Sequence, residues 1–404
     1  MRFPSGAPVG VHWVLSRGMM IPLAVAYEWY AGSLDLFYYW AAISSGTPME
    51  EYPAVATWVL QLPAAFVTSE QGYLIGVVGL FGILDAAATA WVAPVNRAAA
   101  LSWLWLTCLM GPLVFMRLDI VPALTVLVAL VWAVRRPAVA GALLAVGTMV
   151  KLWPAVVASA LLGLGRRTVR AALAFAAVVG ICLAVIIVTS GGSRVISPLA
   201  WQSGRGLMTD SVWASVPMAI RAVNDTVYTV AVSPYQAFEI YGPGVDAWIM
   251  VADAATLLAG GALLVLGWAM YRNRVADPQA IAWAATAAVA LVISTNKTLS
   301  PQYILWLLAP GAVALAHTAP GRRRMLLGAW LGSIALLTHL IYPLFAGMTS
   351  TGGPGEKRLL ATAVMVLRNV ILLNGAVAVY LAAVRMALRF RRHLRSTEAV
   401  SDQP

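Results

Sequence analysis

Pro53-Ala54-Val55-Ala56-Thr57-Trp58-Val59-Leu60-Gln61-Leu62-Pro63-Ala64-Ala65-Phe66-Val67 decides how the chain is threaded. The run is apolar and resembles a membrane span, but as a helix it would rise only about 22 Å, and Pro63 interrupts it. Pro53 suits a helix start. Counted as a span, this run would move every later basic cluster to the wrong side of the membrane. Counted as a helix lying on the outer surface, it leaves them all on one side. The second reading is the consistent one.

Those clusters are Arg135-Arg136, Arg166-Arg167 with Arg170, Arg272 with Arg274, Arg322-Arg323-Arg324, and the run from Arg385 to Arg395. They occupy short turns between apolar runs, which is how positive charge marks cytoplasmic loops. The formal charge of +11 therefore sets topology and does not point to nucleic acid. Of 404 residues 61% are hydrophobic and 11% charged, where a soluble domain carries about a quarter charged residues. The expected fold is an all-α polytopic membrane protein.

With the basic clusters inside, spans are expected at about 11–31, 73–94, 99–116, 120–134, 171–189, 248–271, 279–293, 302–317, 325–343 and 359–384. Residues 138–165 read as two short helices with Lys151-Leu152-Trp153-Pro154 at their outer junction. The total is about twelve spans in a single domain, 1–404, with both ends inside and a cytoplasmic tail, 385–404. The first run contains Arg17 and has no small-residue cleavage site before Asp35, so it reads as a retained anchor. Two outer segments, 32–72 and 190–247, are long and rich in Pro, Gly, Tyr, Trp and carboxylates, where function tends to collect. No internal repeat is visible, which weighs against an inverted-repeat transporter. Cys108 and Cys182 fall inside apolar runs without metal or redox spacing.

Gly32-Ser33-Leu34-Asp35-Leu36-Phe37-Tyr38-Tyr39-Trp40, continuing to Gly46 and Glu50-Glu51-Tyr52-Pro53, is the candidate reaction site. On a helix over 34–43, Asp35, Tyr38 and Tyr39 share one face. That places a carboxylate beside two amphipathic rings at a membrane surface; the plain alternative is an aromatic belt with a solvated aspartate. The chain has only three lysines, at 151, 297 and 357, and Lys151 and Lys297 fall at outer helix ends. A cation there calls for an anion, either a lipid headgroup or a substrate phosphate. Arg205 lies between Gly204 and Gly206, which would let the backbone approach a ligand; a solvated loop arginine is the alternative. Ser300-Pro301-Gln302-Tyr303 opens a span, where unpaired N–H groups and the helix dipole favour an anion that Gln302 and Tyr303 would help bind. Deeper in the bilayer lie Asp85, Asp253 and Arg368; Asp85 with Arg368 reads as a structural pair, and His339 as a satisfied core histidine. No Asp-x-Asp pair, Walker loop, Gly-x-Gly-x-x-Gly turn or His/Cys metal cluster is present, so no metal or cofactor is expected.

The chain resembles glycosyltransferase family 87 of the GT-C superfamily, the polyprenyl-phosphate-sugar-dependent transferases. The matching stretches are Asp35-Leu36-Phe37-Tyr38-Tyr39 with Gly46 and Glu51-Tyr52-Pro53, then Lys151-Leu152-Trp153-Pro154. Arg205-Gly206-Leu207 with Asp210-Ser211 follows, and Ser300-Pro301-Gln302-Tyr303 with Trp306 and Pro310. Two positions depart from the family pattern: Ala54 follows Pro53 where a second proline is common, and Asp210 stands where a glutamate is common. The resemblance implies a GT-C-type bundle whose two outer loops carry surface helices, at the outer face of the cytoplasmic membrane. It implies transfer of a hexose, mannose first, or alternatively of the pentose arabinofuranose, from a polyprenyl-phosphate donor to a glycolipid or glycan acceptor. Asp35 would act as general base, with Tyr38, Tyr39, Glu51, Tyr52, Lys151, Arg205, Lys297, Gln302 and Tyr303 binding substrate. A secondary transporter or lipid flippase and a non-catalytic envelope scaffold are the readings from other classes.

Overall fold

The structure is a computed structural model that describes residues 7–25, 34–345 and 355–401. The end of the first expected span, together with Gly32 and Ser33, lies outside the described residues. The chain begins with α1 (Val9–Gly18) and α2 (Met20–Leu23). The first of the two segments expected outside holds α3 (Leu34–Ser45) and α4 (Ala54–Ala64). Then come α5 (Glu70–Val92), α6 (Arg97–Met110), α7 (Ile120–Trp132), α8 (Pro137–Val150) and α9 (Pro154–Ala158). The last of these runs on as a 3-10 helix, Ser159–Leu164, before α10 (Arg167–Ser190). The second outer segment carries α11 (Ser193–Ser203), α12 (Ser215–Val223) and an antiparallel hairpin, β1 (Thr229–Val232) against β2 (Phe238–Tyr241). Four long helices and one shorter one complete the chain: α13 (Val245–Arg272), α14 (Pro278–Thr295), α15 (Tyr303–His317), α16 (Arg322–His339) and α17 (Gly355–Ser401).

Local chemistry sets several of these boundaries. The Ser69 hydroxyl accepts the Gly72 N–H at 3.2 Å to start α5, and Asn96 accepts the Ala99 N–H at 3.0 Å to start α6. Asp277 caps α14 at 2.8 Å with Pro278 in its first position. Helix α6 ends at Gly111, whose φ of 78° is left-handed; a Cβ there would stand 2.5 Å from the His339 ring. His339 is itself nearly buried and in contact with the Leu109 carbonyl at 3.2 Å, a core histidine as expected.

Six helices are long and apolar enough to cross a membrane: 70–92, 167–190, 245–272, 278–295, 322–342 and 357–390. The protein is a membrane protein built on helices. The expected twelve spans do not all have spanning length. Five of them are the shorter apolar helices Arg97–Met110, Ile120–Trp132, Pro137–Val150, Pro154–Leu164 and Tyr303–His317. Fourteen residues rise about 21 Å, short of an apolar layer of about 30 Å. These short helices, with α14, form the buried centre, whereas α10 and α13 leave most of their apolar side chains exposed, the faces that meet lipid. In helix α4 Ala54, Ala56 and Leu60 are buried and Leu62 is exposed, and at eleven residues it is, like those five, shorter than a span.

Hydrogen bonds level one end of the array. Asn96 at the start of α6 meets His317 at the end of α15 (3.1 Å). Arg167 at the start of α10 donates to the Val134 carbonyl (3.0 Å), and Asn273 to the Ala387 carbonyl (3.0 Å). Every basic turn named above lies near these junctions. At the opposite end are Asp35, the 111–119 turn, Lys151, both long outer segments and Ser300–Tyr303.

The deep charges pair differently from expectation. Asp85 and Arg368 are not partners. Asp85 is fully buried and accepts hydrogen bonds from Arg17 Nε and Nη2, both at 3.0 Å, and from the indoles of Trp13 and Trp103, both at 2.7 Å. The remaining Arg17 nitrogen reaches the Leu104 carbonyl and Thr107. Packing of α1 onto α5 and α6 supplies this partner, which lies 68 residues away in sequence. Removing one member leaves the other charged and dry. Arg17→Met should cost about 3–5 kcal/mol of unfolding free energy, measured by chemical denaturation in detergent, and Arg17→Met with Asp85→Leu should recover most of it. A double variant no more stable than the single one would contradict this account.

Candidate active site

Helix α3 buries Leu36, Tyr39 and Ala42 and leaves Asp35 about a third exposed. Arg117, 4% exposed, reaches across from the turn after α6, its Nε 3.2 Å from Asp35 Oδ2. Arg117 also donates to the Tyr342 hydroxyl at 3.0 Å and packs over that ring at 5.6 Å. Tyr342 can face it because the helix breaks there: within the π-helical turn Leu340–Leu344, Tyr342 has φ −140° and ψ 122°. Burial would lower the Arg117 pKa, but Asp35 and three surrounding tyrosines outweigh it and hold the guanidinium firmly charged. Oδ1 of Asp35 accepts no hydrogen bond from the described residues.

The two tyrosines after Asp35 do not bond to it. Tyr38 donates to Glu51 in a short hydrogen bond, and Tyr39 meets the Tyr52 hydroxyl at 3.1 Å with the rings edge to face. Both therefore tie α3 to the 46–53 turn. Burial first, and then the neighbouring carboxylates, push the phenols of Tyr38, Tyr39 and Tyr52 above their usual range, so all three remain neutral. Arg194 fastens the same turn to α11 through the Met49 carbonyl at 2.8 Å and the Glu50 carbonyl at 3.3 Å.

Beside this lies a second ion pair. Lys151 Nζ is 2.8 and 3.0 Å from the two oxygens of Asp119, which is 2% exposed and also accepts the Trp306 indole N–H. Rings surround the ammonium: Tyr303 at 5.3 Å, Trp306 at 5.5 Å and Tyr52 at 5.9 Å. Trp306 is stacked between Tyr303 and Trp153, with centroids at 3.9 and 5.3 Å. The anion expected for Lys151 is therefore inside the protein. Tyr303 contributes its ring face to this box.

The other expected residues form a neighbouring group. The Met208 N–H binds the Lys297 carbonyl at 3.1 Å and the Trp213 indole binds the Thr295 carbonyl at 2.8 Å, which docks 205–213 on the end of α14. Lys297 faces Asp253 at 3.5 Å. Asp210 faces Arg368 at 3.6 Å, and its backbone carbonyl accepts from Arg368 at 2.6 Å and from Asn369 at 3.3 Å. Burial raises the Asp210 pKa although Arg368 opposes it. Gln302 accepts from the Ser300 hydroxyl at 2.6 Å. Arg205 alone of these cations has no hydrogen bond or ion pair from the described residues, and its Nε is shielded from solvent. Its flanking glycines serve packing and not ligand approach: a Cβ on Gly204 would collide with the Tyr235 hydroxyl and one on Gly206 with Glu239.

Protein-family models, curated proteins and solved structures provide no match to this chain. The site rests on its own geometry. Asp35, Tyr39, Tyr52, Lys151 and Tyr303 are brought into one cluster with Arg117, Asp119, Tyr342 and Trp306. Arg117 and Asp119 were not singled out from the sequence. Two opposite charges in a short outer turn between apolar runs carry the same signal that marks the lysines. No group of three His, Cys, Asp or Glu side chains among the described residues could hold a metal ion.

If Lys151 neutralises Asp119 and does not wait for a ligand, Lys151→Met should destabilise the protein by about 2–4 kcal/mol. Adding Asp119→Asn should restore at least half of that loss in a thermal or denaturant melt. Equal stability of Lys151→Met and wild type would free Lys151 for substrate again.

Proposed function

We propose that this chain is a membrane glycosyltransferase that moves a hexose from a polyprenyl-phosphate donor to a glycolipid or glycan acceptor at the outer face of the cytoplasmic membrane. Mannose is the first candidate hexose; transfer of the pentose arabinofuranose is the alternative. The observation that carries the reading is the Asp35 carboxylate: part-exposed, with one oxygen held by a buried arginine and the other open, at the end opposite the basic turns. The companion fold reading is a GT-C-type bundle of about twelve spans, in which the five short apolar helices count as spans sunk below the outer surface.

The step is an inverting single displacement. The acceptor oxygen attacks the anomeric carbon as Asp35 Oδ1 takes its proton, and the bond from that carbon to the donor phosphate breaks with its electron pair leaving on phosphate. Arg117 holds one Asp35 oxygen at 3.2 Å and so orients the carboxylate, and Tyr342 fixes Arg117. Polyprenyl phosphate is a weak base and needs positive charge in place of a proton. Arg205 suits that task, since Lys151 and Lys297 each face a carboxylate. The phenols of Tyr38, Tyr39 and Tyr52 stay protonated beside the site and do not compete as bases. A transporter reading would need deep charges that open to a cavity, and Asp85 is closed off by two indoles and an arginine.

The decisive assay offers the purified protein a panel of polyprenyl-phosphate sugars with lipid extracts and identifies the product. Asp35→Asn keeps an amide oxygen facing Arg117 and should give a folded, membrane-inserted protein, of lower stability for the lost charge, with turnover lowered by about 10²–10⁴; wild-type turnover would eliminate Asp35 as the base. Arg205→Ala should raise the donor KM while leaving the acceptor KM in place. An unchanged donor KM and kcat would send the phosphate elsewhere.

A further inference from the structure

The segment Pro154–Leu164 is only eleven residues long and lies between two long helices, α10 and α13, whose apolar faces are exposed. It does not fill the space between them. Two apolar grooves remain on its flanks, of about 290 and 270 Å³. The first is bounded by Leu144, Ala172 and Phe175, the second by Val156, Gly260 and Leu264, and Ser159 and Leu162 line both. Sharing Ser159 and Leu162, the two grooves lie side by side along the segment as a paired trough, an arrangement that takes two hydrocarbon chains.

The two mouths of the trough differ in charge. At the end near Pro154, Lys151 is matched by Asp119 at 2.8 Å, so no uncompensated cation is offered there. At the other end the 3-10 helix stops at Gly165 and the chain enters Arg166, Arg167 and Arg170, all exposed. Arg274 stands across from them. Its side-chain carbons lie 4.0 Å from the position a Cβ on Gly165 would take, and it holds a left-handed φ of 48°, a conformation costly for a residue with a side chain. None of these four arginines pairs with a carboxylate among the described residues, and the nearby Asp277 is engaged in capping α14. The start of α10 carries no side-chain cap, so its first-turn N–H groups and dipole add to the same positive field.

We propose that this trough binds one anionic diacyl phospholipid from the leaflet that the basic turns face. Its two chains lie on either side of Ser159 and Leu162, and its phosphate is held by Arg166, Arg167, Arg170 and Arg274. Charge fixes the orientation: a polyprenyl chain entering from the Lys151 mouth would find no free cation for its phosphate. The lipid fills a gap that a helix too short to span would otherwise leave between α10 and α13.

The test uses the full chain, stripped of lipid in detergent and titrated separately with phosphatidylglycerol, phosphatidylcholine and a polyprenyl monophosphate. Binding is read by native mass spectrometry and by the shift in melting temperature. One phosphatidylglycerol should bind, at least about tenfold tighter than phosphatidylcholine. Each basic residue near a membrane surface strengthens binding of anionic lipid by about fivefold, so R166Q/R167Q/R170Q/R274Q should weaken it by on the order of a hundredfold or more. Ala172→Trp with Gly260→Phe, which fills both grooves and at Gly260 meets open space, should abolish binding with all arginines in place. Full binding by the filled variant would reduce the effect to surface attraction and overturn the site. Equal affinity for phosphatidylcholine, or one-for-one displacement by the polyprenyl monophosphate, would overturn the assigned lipid.

Discussion

A helix of fourteen residues rises about 21 Å, and the apolar layer of a bilayer is about 30 Å thick. Helices α6, α7, α8 and α15 have 14, 13, 14 and 15 residues; Asn96 to His317 levels the basic ends of α6 and α15, and Arg167 to the Val134 carbonyl ties the end of α7 to the start of the longer α10. Their other ends therefore stop roughly 10 Å or more short of those of neighbours with 23 to 28 residues. The 111–119 turn, Lys151 and Tyr303 all lie on that sunken floor, while α5, α10 and α13, with 23, 24 and 28 residues, rise around it. Polar groups placed there sit lower than the ends of the long helices, and α3, the 46–53 turn and the 205–213 stretch pack against them.

Sinking charge into a low-dielectric floor forces it into pairs. Lys151 is held by Asp119, Arg117 by Asp35, Arg368 by Asp210 and, more deeply, Arg17 by Asp85. Indoles complete several of these arrangements, since Trp13, Trp103 and Trp306 each give an N–H to a carboxylate. Exposure then separates closed pairs from open ones. Asp85 and Asp119 are shut away at 0% and 2%, whereas Asp35 retains about a third of its surface. A cation left unmatched is conspicuous in such a setting: Arg205 at one end, and the arginines around Gly165 at the other.

Both features follow from one economy of length. The same short helices that lower the floor of the site also leave a gap in the outer wall, because Pro154–Leu164 cannot fill the groove between α10 and α13. The floor gathers aromatic and charged groups; the gap is lined by carbon and is charged only at its basic mouth. A polar recess and a lipid-sized trough are thus two consequences of helices that end early.

Much was legible in the sequence because it depends on local quantities. Hydrophobic run length and arginine placement pointed to a helical membrane protein and to the end of the bundle that Asp35, Lys151 and Lys297 share. What could not be read was which opposite charges would meet. Asp85 with Arg368 was as reasonable on paper as Asp85 with Arg17, and Lys151 looked free for a ligand until Asp119, 32 residues before it, closed on it at 2.8 Å. Run length and charge sign are properties of neighbouring residues, and so the chain alone determined them. Pairing depends on which helix ends come to the same depth and face each other, and only the packed bundle decides that.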